Sequence, residues 1–254
     1  MLDGAEPLDP RRRESMPPPI QARGGPDPTA PGHKTSWLQQ AAFRLKPHWL
    51  LKLLGTTGYM TLFMLGYFWL LRHPLFPVTV MPLTGLDQLI GFQPWSIWLY
   101  ASLWLYISLV PMLLDIRCEL VPYLSAVTVL SLTGFAIFFF WPTAIPRPDI
   151  NWARYPCVAF LKSVDASGNA CPSLHVAFAV LTGMWLHRLL RQMGAPVMLR
   201  VLNACWCAGI VYSTLALKQH VALDMEAGAI LGAGVAALHL FVLPWPRIPH
   251  GEHE

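Results

Sequence analysis

Charge is what the sequence most conspicuously lacks. Only 13% of its 254 residues are Asp, Glu, Lys or Arg, against about 25% in a water-soluble domain. At the same time 54% are hydrophobic and the mean hydropathy is +0.43. A soluble globular class is excluded and a lipid environment indicated. There is no CxxC pair and no HExxH, so a zinc ribbon, a redox dithiol and a disulfide-stapled mini-domain have no support. No continuous apolar stretch occurs in the first 36 residues, so a cleaved signal peptide is not expected there. The net charge of +4 raises nucleic acid as a partner, but the basic residues flank apolar spans, as membrane topology requires.

What is present falls into a tail and a series of spans. Residues 1–36 hold Pro7, Pro10, Pro17, Pro18, Pro19, Pro26, Pro28 and Pro31 with the basic run Arg11, Arg12, Arg13, a composition that cannot pack a core and predicts disorder. Six apolar stretches follow, at 53–71, 97–114, 121–141, 174–190, 201–217 and 221–243, each near the ~20 residues that cross a hydrocarbon core. They are too long for barrel strands, and a backbone in lipid must satisfy its own hydrogen bonds, so helices are expected. The expected fold is all-α: a polytopic six-transmembrane-helix bundle over 37–246, with the disordered tail 1–36 before it and a short tail 247–254 after it. Lys and Arg in alternate loops number thirteen on the side of the termini and five on the other, which places both termini in the cytoplasm. The loops 72–96, 142–173 and 218–220 then face the periplasm, lumen or exterior, with the protein in a plasma or inner membrane.

Ionisable residues inside spans are functional hypotheses by default. Asp224 follows His220 by four residues, a spacing that stacks both side chains on one helix face. The carboxylate would hold one ring nitrogen and leave the other as base or nucleophile; the bland alternative is a pair that only pins a helix end. His175 opens the fourth span behind Pro172 and Ser173, where helix N-terminal N–H groups suit phosphate. The topology brings His175, His220, Lys218 and Arg147, which follows the third span, to one non-cytoplasmic face. His239 lies nineteen residues past His220, roughly 28 Å along a helix, and His187 roughly 18 Å from His175; both are excluded from that site and are expected to snorkel to the opposite interface.

These residues resemble the type 2 phosphatidic acid phosphatase superfamily, which also contains lipid phosphotransferases. Its signatures are Lys-x6-Arg-Pro, Pro-Ser-Gly-His and Ser-Arg-x5-His-x3-Asp. Here the second reads Pro172-Ser173-Leu174-His175 and the third Ser213-Thr214, five residues, His220, three residues, Asp224. The first keeps Arg147-Pro148, but Phe140 stands at the lysine position. Thr214 replaces the third-motif arginine, so two phosphate-binding cations are gone, and Lys218 is a candidate to replace one. The resemblance covers about residues 50–243. Its Ser-Leu-His-Val-Ala and Lys-Gln-His runs look like the branch of inositol phosphorylceramide synthase and bacterial inositolphosphotransferase-like proteins, and 83–92 looks similar to a loop of bacterial members. Fewer cations suit a singly charged diester better than a monoester, which slightly favours head-group transfer over hydrolysis.

The resemblance implies that His220 attacks phosphorus to form a phosphohistidine, with Asp224 fixing its tautomer and His175 as general acid and then base. Arg147, Ser173, Lys218 and Ser213 would hold phosphate. No metal or other cofactor is implied; the partners are a membrane lipid substrate and the bilayer, not nucleic acid. Competing readings are zinc held by the two histidines and Asp224, Ser173 as nucleophile, interfacial anchoring by Arg147 and Lys218, and Ser213 and Thr214 bonding within their own helix. Beyond the enzyme stand two further classes: a transporter or channel, disfavoured by apolar span centres, and a degraded binding or scaffold relative. Cys205 and Cys207 are expected as apolar fillers, while Cys157 and Cys171 share an outer loop where a disulfide is an open alternative. The stripe Trp95, Trp98, Tyr100, Trp104 and Tyr106 is expected to be an interface belt and lipid-facing surface rather than a ligand cage. Glu226 has no assigned role.

Overall fold

The long helices of the computed structural model begin and end close to where hydropathy places them. The structure describes residues 36–114, 119–164 and 168–242; the expected tails at 1–36, apart from Ser36, and at 247–254 lie outside the described residues. Five helical runs are long and apolar enough to cross a membrane: α2 (Trp49–Arg72), the run Pro94–Leu113, α6 (Leu120–Phe140), α9 (Val197–Ala216) and the run Ala222–Val242. The second of these is a 3-10 turn, α4 (Ile97–Ala101) and α5 (Leu103–Leu113) in succession, and the last is α10 (Ala222–Ala237) ending in a π-helical turn at Leu238–Val242. Large apolar side chains such as Leu62, Leu65, Trp98, Val121 and Ile230 stay exposed, as lipid-facing residues must.

The expected fourth span is α8 (Leu174–Gln192), and it is not among those five. His187, Arg188 and Arg191 lower its apolarity, and twelve of its 19 residues are buried. By contrast, only three of the 24 residues of α2 are buried. α8 is therefore the inner helix of the bundle, screened by its neighbours. By length and composition alone, five spans are supported among the described residues, rather than the six expected.

Close packing around α8 depends on absent side chains. A Cβ on Gly228 or Gly232 would lie 2.3 Å from the backbone oxygens of Ser173 and Ala177, so these two α10 glycines, four apart, let the backbones of α8 and α10 touch. At the other end of the bundle Arg44, on α1 (Trp37–Leu45), pairs with Glu119 at 2.7 Å, and Lys52 donates to the carbonyls of Arg44 and Met112.

The fold is not purely helical, a second departure. β1 (Thr79–Val80) pairs in parallel with β2 (Thr143–Ala144), and Thr143 bridges onward to Asn169. Thr143 N–H donates to Gly168 O, its carbonyl accepts from Ala170 N–H, and its hydroxyl accepts from Cys171 N–H at 2.7 Å. This ribbon ties the loops after α2 and α6 to the chain entering α8. Short helices α3 (Gly85–Leu89) and α7 (Pro156–Val164) complete that end. Cys157 and Cys171 are both free thiols, so no disulfide joins them.

Candidate active site

The loop between α9 and α10 turns sharply because Lys218 takes a left-handed backbone, φ +56°, and because Thr214 O accepts both Gln219 N–H and His220 N–H. His220 is thereby set just ahead of α10. Its Nδ1 lies 2.8 Å from Asp224 Oδ2, and since a carboxylate only accepts, Nδ1 carries the hydrogen and Nε2 the lone pair. The other oxygen, Asp224 Oδ1, accepts Val221 N–H at 2.6 Å. Asp224 is fully buried and His220 is 8% exposed, so this hydrogen-bonded unit sits out of water.

Asp224 also anchors the second segment, since its backbone carbonyl accepts Ser173 N–H at 2.9 Å. Ser173 caps α8, its Oγ accepting Val176 N–H at 3.3 Å. The first-turn N–H groups of Leu174 and His175 have no carbonyl behind them in the helix. His175 stacks on Tyr100 with ring centroids 3.8 Å apart and 15° between planes. Its Nε2 is buried and has no hydrogen-bond partner among the described residues.

Both histidines line one cavity of about 170 Å³, shared with Tyr100, Asn169 and an apolar wall from α2, α5 and α8. The two imidazoles that the sequence places at one outer face are thus brought together. A groove of about 570 Å³ between α2 and α5 continues from it, the two spaces sharing Met60, Met64, Phe68 and Trp104. The site consequently has a polar end of imidazoles and an apolar route along the lipid-facing side.

Of the seven residues expected at the site, His175 and His220 line the cavity, with Asp224 and Ser173 directly behind them. The other three are placed differently. Arg147 is exposed on the loop between β2 and α7. Ser213 is fully buried, and its hydroxyl donates to Ile210 O at 2.6 Å, the within-helix bond that was the competing reading. Lys218 donates from Nζ to Asp87 O at 2.8 Å and to Ile90 O, so two of its three ammonium hydrogens fasten α3 to the His220 loop instead of facing the cavity. His239 and His187 lie far along their helices, as expected. His239 departs from the snorkelling expectation, being buried with Nδ1 2.9 Å from Val235 O.

Four contributors were not legible in the sequence. Asp87 accepts Ala222 N–H at the start of α10 while capping α3 through Thr84. Tyr100, read from the sequence as belt, packs on His175 instead, and Tyr106 from the same stripe is wholly buried, bonded to Asn203. Asn169 donates from Nδ2 to Tyr67 O, leaving a buried Oδ1 without a partner among the described residues in a residue that lines the cavity. Gly134 makes room for Leu174: a Cβ there would fall 2.4 Å from Leu174 Cδ2. The leucine in the Pro-Ser-Leu-His run is thus seated in a notch on α6.

A family model for the PAP2 superfamily matches residues 119–247, just over half of the chain. The chain belongs to the PAP2 superfamily. No curated protein and no solved structure matches it. The PAP2 match begins at α6 and takes in α8, α9 and α10, so it spans Ser173, His175, Ser213, His220 and Asp224. α2, α3, α4 and α5 precede it, yet they supply Asp87, Tyr100 and the apolar wall. PAP2 membership and the apolar helices make this an integral membrane protein of a kind consistent with a lipid phosphatase or phosphotransferase.

Proposed function

We propose that this PAP2-superfamily chain is a lipid phosphotransferase or phosphatase acting through a phosphohistidine on His220. The observation that carries the reading is the convergence of His175 and His220 on one cavity, with Asp224 fixing the His220 tautomer. In the first half-reaction the Nε2 lone pair of His220 attacks phosphorus, the bond from phosphorus to the leaving oxygen breaks, and His175 gives that oxygen its proton. In the second, His175 takes a proton from water or an acceptor alcohol, whose oxygen bonds to phosphorus as the P–N bond breaks. Asp224 stabilises the imidazolium without itself being protonated. Phosphate oxygens are held by the N–H groups at the start of α8, with Lys218 adding positive charge from its fixed place and Arg147, exposed on its loop and outside the cavity lining, contributing once it swings inward. Ser213 supports the site from within α9.

The substrate is a lipid because the cavity is lined mainly by apolar side chains, with Tyr67, Tyr100, Asn169 and the imidazoles as its polar groups, and runs into the groove between α2 and α5. Phe140 and Thr214 stand where the family carries cations, and this favours inositolphosphate-type head-group transfer over hydrolysis of a monoester. A lipid phosphate or prenyl diphosphate phosphatase is the alternative within the superfamily, and a non-catalytic binding relative the alternative outside it. In the arrangement proposed, α8 is a sixth span, both termini are cytoplasmic, and the histidines face outward. The membrane domain extends over 37–246, flanked by tails.

The test is to incubate purified protein with phosphatidic acid, with a prenyl diphosphate, and with phosphatidylinositol plus ceramide, following phosphate and lipid products. Turnover of one of these, lost in folded His220→Ala and His175→Ala variants, is the expected result. Full activity in a folded His220→Ala protein would remove the nucleophile assignment.

A further inference from the structure

A second cavity, of about 760 Å³, lies at the opposite end of α8 from the histidines, between α8, α9 and the π-helical end of the α10 run. Its α8 side is a single stripe, Val180, Gly183, Met184, His187, Arg188 and Arg191, at spacings that share one helix face. Nothing in the proposed reaction uses it. We infer that this groove binds one anionic diacyl phospholipid from the leaflet opposite the active site, its phosphate on Arg191 and Arg188 and an acyl chain along α8 and α9.

Three observations carry this. First, the cations are confined to one end. His187, Arg188 and Arg191 lie in the last turns of α8, and no acidic residue among the described residues lines the cavity. Arg188 Nη1 donates to Leu240 O at 2.8 Å, which holds that guanidinium at the rim. Arg200, one turn before Asn203 and Ala204 on α9, has a buried Nε with no partner among the described residues. Second, the remainder suits a hydrocarbon chain. Gly183, Ala204, Cys207 and Ala208 keep the floor low. Its polar groups are already paired, with Asn203 Nδ2 donating to Gly183 O and Asn203 Oδ1 accepting from Tyr106. Third, the length fits. Eleven residues separate Val180 from Arg191, roughly 16 Å of helix, which matches one leaflet of a ~30 Å hydrocarbon core. Basic pockets between membrane helices are suited to anionic head groups in this way.

The experiment uses full-length protein in nanodiscs and photoreactive phospholipids with a diazirine on one acyl chain, labelled sites being mapped by peptide sequencing. Phosphatidylglycerol is expected to label 180–191 and 203–208, and phosphatidylcholine about fivefold less, as loss of one near-surface charge contact implies. Arg191→Gln should cut the phosphatidylglycerol signal by a similar factor, and Ala208→Trp, which fills the floor at an exposed position, should abolish it. Millimolar inorganic phosphate should not compete. Equal labelling by phosphatidylcholine, unchanged labelling in both variants, or displacement by inorganic phosphate would overturn the inference. Labelling is expected to persist in His220→Ala protein, so the outcome is independent of the proposed reaction.

Discussion

Both carboxylate oxygens of Asp224 are engaged before any substrate arrives, one by His220 and one by Val221 N–H. Asp224→Asn keeps the shape but offers an amide N–H where an acceptor is needed, favouring the wrong His220 tautomer. Turnover should fall on the order of a thousandfold or more, while the melting temperature moves little by comparison; a loss below tenfold would argue that Asp224 only pins the helix. Asp87 is a positioning residue. Asp87→Ala orphans Ala222 N–H at the start of α10, which should cost about 1–3 kcal/mol of stability. It should also couple non-additively with Lys218→Met, since both fasten α3 to the His220 loop. Additive effects in a double-mutant cycle would show the two contacts to be independent. Cys171 offers a pH test: burial, then the Asp224 carboxylate, push its thiol up to about 11. A raised value keeps it protonated through neutral pH, so Cys157, which is exposed, should alkylate at pH 8 while Cys171 stays unmodified until the pH nears 11. Thiol mass mapping checks this, and rapid neutral-pH modification of Cys171 would contradict it.

At the scale of elements, the site is only as good as the contact between α8 and α10. Gly228→Ala puts a methyl group onto the Ser173 carbonyl and should displace the N-terminus of α8, lowering activity strongly. Gly234→Ala, with nothing within 4 Å of its Cβ, serves as control and should be neutral or slightly stabilising. Equal activity in the two variants would show that the close approach does not matter. The sequence carries the spacing of His220 and Asp224 and the cap at Ser173 because these are local, fixed by helix geometry. It does not carry the Gly134 notch for Leu174, the stacking of Tyr100 on His175, or the Asp87 bond to Ala222, which join residues 40, 75 and 135 positions apart. The two strands have two residues each, too few to show alternation. α8 is legible as a helix, but its enclosure is not, since hydropathy does not say which helix its neighbours will cover.

The described helices form a bundle with the His175 and His220 imidazoles at one end of α8, Arg188 and Arg191 at the other, and an apolar groove between α2 and α5. If lipid tails use that groove, Met64→Trp should raise KM for a long-chain substrate about tenfold, the equivalent of losing roughly two buried methylenes. A dihexanoyl analogue should be unaffected; identical effects on both chain lengths would mean the tail lies elsewhere. The central claim, that His220 bonds to phosphorus, is tested most directly by rapid acid-free quench of the protein with phosphorus-32-labelled phosphatidic acid or phosphatidylinositol, followed by peptide mapping. The account predicts an acid-labile, base-stable label on the peptide containing His220, absent in His220→Ala. A label that survives in His220→Ala, or one that maps to Ser173, would contradict it.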